Sequence, residues 1–299
     1  MKDFLNKVFY RDKNLLIRST TDELIIWESL NFKQKKINKD VPKIIWSFWF
    51  DIEYPKSIEI CLKSWKYHHP NYQINLLNKN NLLEYLPDFN FSIFQHLNHA
   101  NLSDIIRLEL LYNYGGIWLD CSVFLNDKLD NHLLNFSNND LDLLCFEGYN
   151  HNNKLLPITE SWFLITYKNN HFIEVWLDLL KKCFIDFDYQ NFFKKKYNKE
   201  YLMIEEKNRD YLYIYMSSLV ILKDVENLKI GLLNSKVNGF FYDYEFNYNY
   251  EKIGKYFLLN ATYSNFPSII KLTSKNRNSI DVLLKNNMVK KNSMFGKYI

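Results

Sequence analysis

The sequence predicts an α/β fold, and two stretches carry that prediction. Val41 to Phe50 is a β-branched and aromatic run opened by Pro42, and it reads as a buried strand; the segment that Pro55 starts and the run Tyr72 to Leu77 then complete a β-α-β unit. Leu102 to Phe124, LSDIIRLELLYNYGGIWLDCSVF, joins a punctuated helix, a glycine pair and an acidic strand end. With 299 residues, 47% of them apolar, the chain suffices for one large α/β domain or a core with an appended lobe.

Composition narrows the function classes. Net charge is only +4, with no concentrated basic stripe, which argues against a nucleic-acid-binding module. Aromatics make up 17%, enough to serve both core packing and stacking on bases or sugar rings. Cys61, Cys121, Cys145 and Cys183 lie far apart with no paired spacing, so neither a zinc site nor a disulfide framework is expected, and a reducing cytoplasm fits. The first residues lack a signal-peptide core, and no apolar run approaches the roughly 18 residues that span a bilayer. A soluble or peripheral protein is expected.

Along the chain, the apolar positions of residues 1 to 40, including Leu24, Ile25, Ile26 and Trp27, recur at roughly helical spacing and predict two helices. After the strand at 41 to 50, an amphipathic helix shows Ile58, Cys61, Leu62 and Trp65 on one face before His69-Pro70. In parallel sheets ligands sit beyond the carboxyl ends of strands, which places Trp49, Phe50 and Asp51 at a candidate site. Short helices are expected over 79 to 100.

In the central stretch, Ser103 is a candidate N-cap, Asp104 would lie in the first helical turn, and Gly115 takes a left-handed C-terminal cap. Asp104 and Arg107, three residues apart, share a helix face; they act together on a polar ligand or form an intrahelical salt bridge. Asp120 follows the apolar Ile117-Trp118-Leu119, either as an oxygen ligand for a hard divalent cation or as a turn residue.

Leu141 to Phe146 and Glu160 to Tyr167 read as strands, the second entered from the site side, so Glu160 is a contact for donor or acceptor or else a surface charge. Phe172 to Phe184 is a packing helix. Residues 186 to 235 read as a mostly helical insertion, and Lys194-Lys195-Lys196 within it as a solvated face. The basic tail carries Met288, Val289, Met294 and Phe295 between lysines, either a weak membrane adhesive or a disordered or packed terminus.

IIWSFWF, CLKSWKYHHPNYQINLLN, LSDIIRLELLYNYGGIWLDCSVF, ESWFLITYKNNHF and IIKLTSK together resemble the capsular polysaccharide synthesis family, related to glycosyltransferase family 32 and distantly to the clostridial toxin glucosyltransferase domains. The resemblance covers roughly residues 41 to 275. It implies a GT-A glycosyltransferase fold, a Rossmann-like mixed sheet flanked by helices, as the catalytic domain. N-terminal helices (1–40), the acceptor-side helical insertion (186–235) and the basic tail (276–299) complete the expected organisation.

The resemblance also implies retaining transfer of a hexose, galactose or glucose favoured, from a UDP-sugar to a saccharide acceptor in bacterial surface polysaccharide synthesis. Residue by residue, Trp49 matches the aromatic that stacks on the base, with Trp46 at the neighbouring position; strand alternation points the two to opposite faces, so one can bind while the other fills the core. Asp104 and Arg107 match the pair that holds the donor sugar, and Asp120 the first acid of an Asp-x-Asp motif. Asp120-Cys121-Ser122 lacks the second aspartate, so Mn²⁺ or Mg²⁺ would be held by Asp120 and Ser122 with the donor diphosphate. A further ligand would come from Asn260 or Ser264. Lys271, in the KLT stretch, would neutralise the departing diphosphate. The acceptor is a saccharide, lipid-linked if the chain works at the inner membrane surface. The alternative is a nucleotide-sugar-binding protein with little or no transferase activity.

Overall fold

The computed structural model describes residues 24–29, 32–33, 39–148, 156–260 and 267–299, and its first element is a strand, β1 (Leu24–Glu28). Helical spacing is overruled here. β1 pairs antiparallel with β8 (Lys229–Asn234), because a waiting sheet edge satisfies its backbone polar groups and the β-branched Ile25-Ile26 pair favours the extended chain. The rest of the two expected N-terminal helices lies outside the described residues.

The β-α-β opening forms as read. β2 (Ile44–Phe48) leads to α1 (Lys56–His68), which starts directly after Pro55, and then to β3 (Gln73–Leu77), parallel to β2. The long helix α2 (His99–Tyr114) follows, then β4 (Gly116–Leu119), which pairs parallel to β2 on its other side. β5 (Val123–Leu125), α3 (Asp130–Asn138), β6 (Leu143–Glu147), β7 (Thr159–Thr166) and α4 (His171–Ile185) come next.

The main sheet has seven strands in the order β1-β8-β6-β7-β4-β2-β3, with β7 antiparallel to both β4 and β6 and β8 parallel to β6. The expected mixed α/β sheet flanked by helices is therefore what the chain forms. Alternation along its strands builds two layers. Trp46, Phe48 and Trp118 pack with α2, α4 and the helix α7 (Tyr213–Ile221), while Ile45, Ile117 and Leu119 pack with Ile58, Trp65 and Phe136. A third apolar cluster lies against a small sheet in which β9 (Ile269–Lys271) pairs antiparallel with β5.

Two expected boundaries move. The segment 186–235 begins with helices, α5 (Phe192–Lys196) and α6 (Asn198–Met203), before α7, but it ends as β8, inside the main sheet between β1 and β6. Lys194, Lys195 and Lys196 form the expected solvated face, Lys195 pairing with Asp188 at 2.5 Å and Lys196 with Asp186 at 2.8 Å.

The C-terminal stretch is not a loose tail. After α8 (Phe241–Glu245) and α9 (Tyr250–Leu259), α10 (Ser274–Lys285) packs on α9, and the chain returns to bury Met294 and Phe295. Phe295 lies 4.6 Å from the ring centres of both Phe124 and Phe257. Those two side chains are thus consumed by the core and are not available as membrane adhesives. Among the described residues, no helix is long and apolar enough to cross a membrane.

All four cysteines are free and buried, Cys145 and Cys183 in the α2/α4 layer, Cys121 in the opposite layer and Cys61 in the third cluster.

Candidate active site

The helix that carries Asp104 and Arg107 begins five residues earlier than the sequence predicts. Asn98, not Ser103, is its N-cap, its side chain accepting from the Asn101 N–H at 2.9 Å, because an asparagine three residues ahead of a free amide captures it first. Asp104 therefore sits inside the helix rather than in its first turn, and its charge is met by Arg107 instead of the helix dipole. α2 ends at Gly115, with φ 66° and ψ −165°, where an added Cβ would stand 2.6 Å from the Lys168 amide nitrogen. Gly116 follows at φ 102°, and the chain turns straight into β4.

β4 delivers Asp120 to the floor of a cleft of about 600 Å³. Its Oδ1 accepts from Arg107 Nη2 at 2.8 Å and from Trp118 Nε1 at 2.9 Å, while its Oδ2 accepts from Lys271 Nζ at 2.5 Å. Arg107 also donates to Asp104 Oδ1 and lies 4.9 Å over the Trp118 ring. One buried guanidinium thus joins the two carboxylates. The Asp104–Arg107 pair is an intrahelical ion pair and lines the cleft as well.

Lys271 reaches this cluster because β9 places it opposite Val123, and the next residue ties β9 down, Leu272 N–H donating to Ser122 O at 2.8 Å. Its ammonium also lies 3.0 Å from Ser122 Oγ.

Burial governs the titration of these groups. It pushes Asp104 up to about 6 against the pull of Arg107. For Asp120 the same desolvation is outweighed by Lys271 and Arg107, which hold its carboxyl well below the usual range. Desolvation lowers Lys271 despite Asp120. Arg107 is raised, since Asp104 and Asp120 overcome its burial cost.

Glu160 is the second residue of β7, beside a β-bulge in the β6–β7 pairing, and it is no surface charge: it is 5% exposed and lines the cleft. Its Oε2 accepts from Tyr215 Oη of α7, and burial pushes its pKa up to about 7. Trp49 lines the cleft, with its indole N–H 3.2 Å from Glu53 O. Trp46 does not. It is 1% exposed, packed on Tyr85 and Tyr114, and donates to Gly115 O at 2.9 Å, so the core-filling role falls to it.

Sequence reasoning missed Tyr215, Trp162 and Arg277, which all line the cleft. Tyr215 looks like one more apolar position of an insertion helix; Arg277, four residues past the KLT stretch, offered a basic residue one helical turn from Thr273 as its only signal.

The residues expected to hold a divalent cation are only partly brought together. Asp120 and Ser122 share the Lys271 ammonium, Asn260 caps α9 and does not line the cleft, and Ser264 lies outside the described residues. Among the described residues no group of three or more His, Cys, Asp or Glu could hold a metal. The described residues thus offer Mn²⁺ or Mg²⁺ only oxygens of Asp120 and Ser122, one of each already shared with an ammonium.

A sequence profile described as capsular polysaccharide synthesis protein matches residues 3–266. The chain belongs to the capsular polysaccharide synthesis family. This family member is 32% identical over 94 residues to inositol phosphoceramide mannosyltransferase 3 of Schizosaccharomyces pombe, over 30% of this chain and 26% of that protein. The chain thus spans about a quarter of the length of that relative. Among solved structures it resembles the glycosyltransferase GlyE of Streptococcus pneumoniae TIGR4 (TM-score 0.45, 14% identity, 87% of this chain and 63% of that one). It also resembles the PaToxG glycosyltransferase (TM-score 0.36, 15% identity, 63% and 82%). At these TM-scores the likenesses carry no weight for the site.

Proposed function

We propose that this family member is a glycosyltransferase that moves a hexose, galactose or glucose, from a UDP-sugar to a saccharide acceptor in surface polysaccharide synthesis, with retention of anomeric configuration. The observation that carries this reading is the Asp104–Arg107–Asp120–Lys271 network lining a cleft that Trp49 also lines. Family membership supports the same reading, and with it a GT-A description of the mixed sheet.

In this mechanism Trp49 stacks on the base and Asp104 with Arg107 fixes the donor sugar's hydroxyls. Lys271 offsets charge as the bond between the anomeric carbon and the diphosphate oxygen breaks. The acceptor hydroxyl attacks from the same face, and its proton passes to the departing phosphate oxygen. Glu160 and Tyr215, with the α7 segment behind them, face the acceptor, which is lipid-linked if synthesis takes place at the inner membrane surface.

The test is a thermal-shift screen against a panel of nucleotide sugars, followed by assay of nucleoside diphosphate release. A specific donor at a hundred times its Kd should stabilise the fold by about 2.7 kcal/mol. Release of UDP with acceptor glycosylation supports transfer; stabilisation without turnover would leave a binding protein, and no stabilisation by any donor would sink the reading.

A further inference from the structure

We infer that Lys271 is the resident cation of this site: its ammonium takes the place of a divalent metal, and donor binding and transfer run without one. The inference rests on the nucleotide-sugar reading above. Its first ground is position. Nζ lies 2.5 Å from Asp120 Oδ2 and 3.0 Å from Ser122 Oγ, so a single built-in cation already bridges the carboxylate and the hydroxyl of the shortened acidic motif.

The second ground is saturation. The other Asp120 oxygen holds two donors, Arg107 Nη2 and Trp118 Nε1, so both oxygens of the acidic motif's carboxylate are already engaged, and Asp104 Oδ1 is held by Arg107. A metal would have to displace the ammonium or share an oxygen with it at close range, where like charges repel strongly in a buried site. The third ground is rigidity. Pairing of β9 with β5, the Leu272 N–H on Ser122 O and the Lys271 N–H on Gly239 O at 2.8 Å fix the backbone from which the lysine reaches. The ammonium is positioned by the fold, as a metal is positioned by its ligands.

The chemistry balances without a further reagent. When the anomeric C–O bond breaks, the electron pair leaves on the terminal phosphate oxygen; Lys271 offsets that charge, and the acceptor hydroxyl supplies both the new C–O bond and the proton that the phosphate takes up. Arg277, which lines the same cleft and donates to Leu272 O at 3.0 Å, adds a second positive charge on the diphosphate side.

The experiment compares the full chain before and after exhaustive chelation, with UDP as the probe in calorimetry and UDP release as the turnover readout. Binding and turnover should stay within about twofold, and Mn²⁺ titrated against the UDP complex should give no site-bound signal by electron paramagnetic resonance. Lys271→Ala should weaken UDP binding at least about tenfold, with partial recovery on adding ethylammonium; Lys271→Met, which keeps the aliphatic stem, guards against a packing artefact and should lose as much. A tenfold loss on chelation that Mn²⁺ restores, or unaltered UDP binding in folded Lys271→Met, would overturn the inference while leaving the transferase reading in place. UDP binding absent with and without metal would overturn both.

Discussion

Asp120 accepts from three donors on three different segments, and removing its charge strands two cations at once. Asp120→Asn should lower UDP release by about a hundredfold or more and cost several kcal/mol of stability, of order 3–5, because Arg107 and Lys271 lose a partner in a largely buried cluster. Urea denaturation and initial rates on the same preparation separate the two effects. Glu160 gives a pH prediction. Its folded pKa, pushed by burial to about 7, lies above its ordinary 4.5, so the folded state binds its proton more tightly than the unfolded chain does. Stability from this group is fully present below pH 4.5 and is lost as pH rises through 7. Glu160→Gln should therefore gain stability over the wild-type chain as pH rises from 5 to 8, by an amount on the order of 3 kcal/mol and read as a widening Tm difference; a difference independent of pH would refute it. The sequence marks Asp104, Arg107, Asp120 and Lys271 by their order and spacing. It cannot mark Tyr215, whose contact with Glu160 joins residues 55 apart in the chain, nor tell which of Trp46 and Trp49 faces the cleft, since alternation separates two faces without saying which is open.

At the scale of the element, the turn from α2 into β4 depends on backbone that only glycine adopts cheaply. Gly115→Ala combines a positive φ with a close approach to the Lys168 nitrogen, and it should destabilise the fold by about 1–3 kcal/mol, read as a lower urea midpoint at unchanged m-value. The cap of α2 offers a paired test. Asn98→Ala should cost about 1 kcal/mol and Ser103→Ala almost nothing in stability, the reverse of what the sequence predicts. That misplacement has a physical cause: two good capping residues stand five apart, and local chemistry does not say which amide is first in the helix. β1 fails for a different reason. Helical spacing is a local signal, whereas β1 is decided by the edge that β8 presents some 200 positions later.

Across the whole molecule, the β-α-β opening and the alternation of helices and strands are legible because each follows from contiguous residues. The strand order is not: β8 arrives at the sheet from a segment that reads as an insertion, and only long-range pairing reveals it. The C-terminal return is hidden in the same way, since apolar residues between lysines suit a membrane surface and a core equally. Phe295→Ala should cost about 3–5 kcal/mol, as large-to-small changes in a filled core do, and should lower Tm without changing any affinity for anionic vesicles. The distribution of the four buried thiols has an unplanned use. Burial pushes every one of them up, Cys121 to about 12, so none is reactive in the closed molecule. Cys145 and Cys183 sit in one layer, Cys121 in the second and Cys61 in the third cluster, so each apolar compartment carries its own silent tag. Exposed to an alkylating reagent in native buffer, the unmutated chain acts as a set of clocks, and the order in which its cysteines gain mass records the order in which its compartments open.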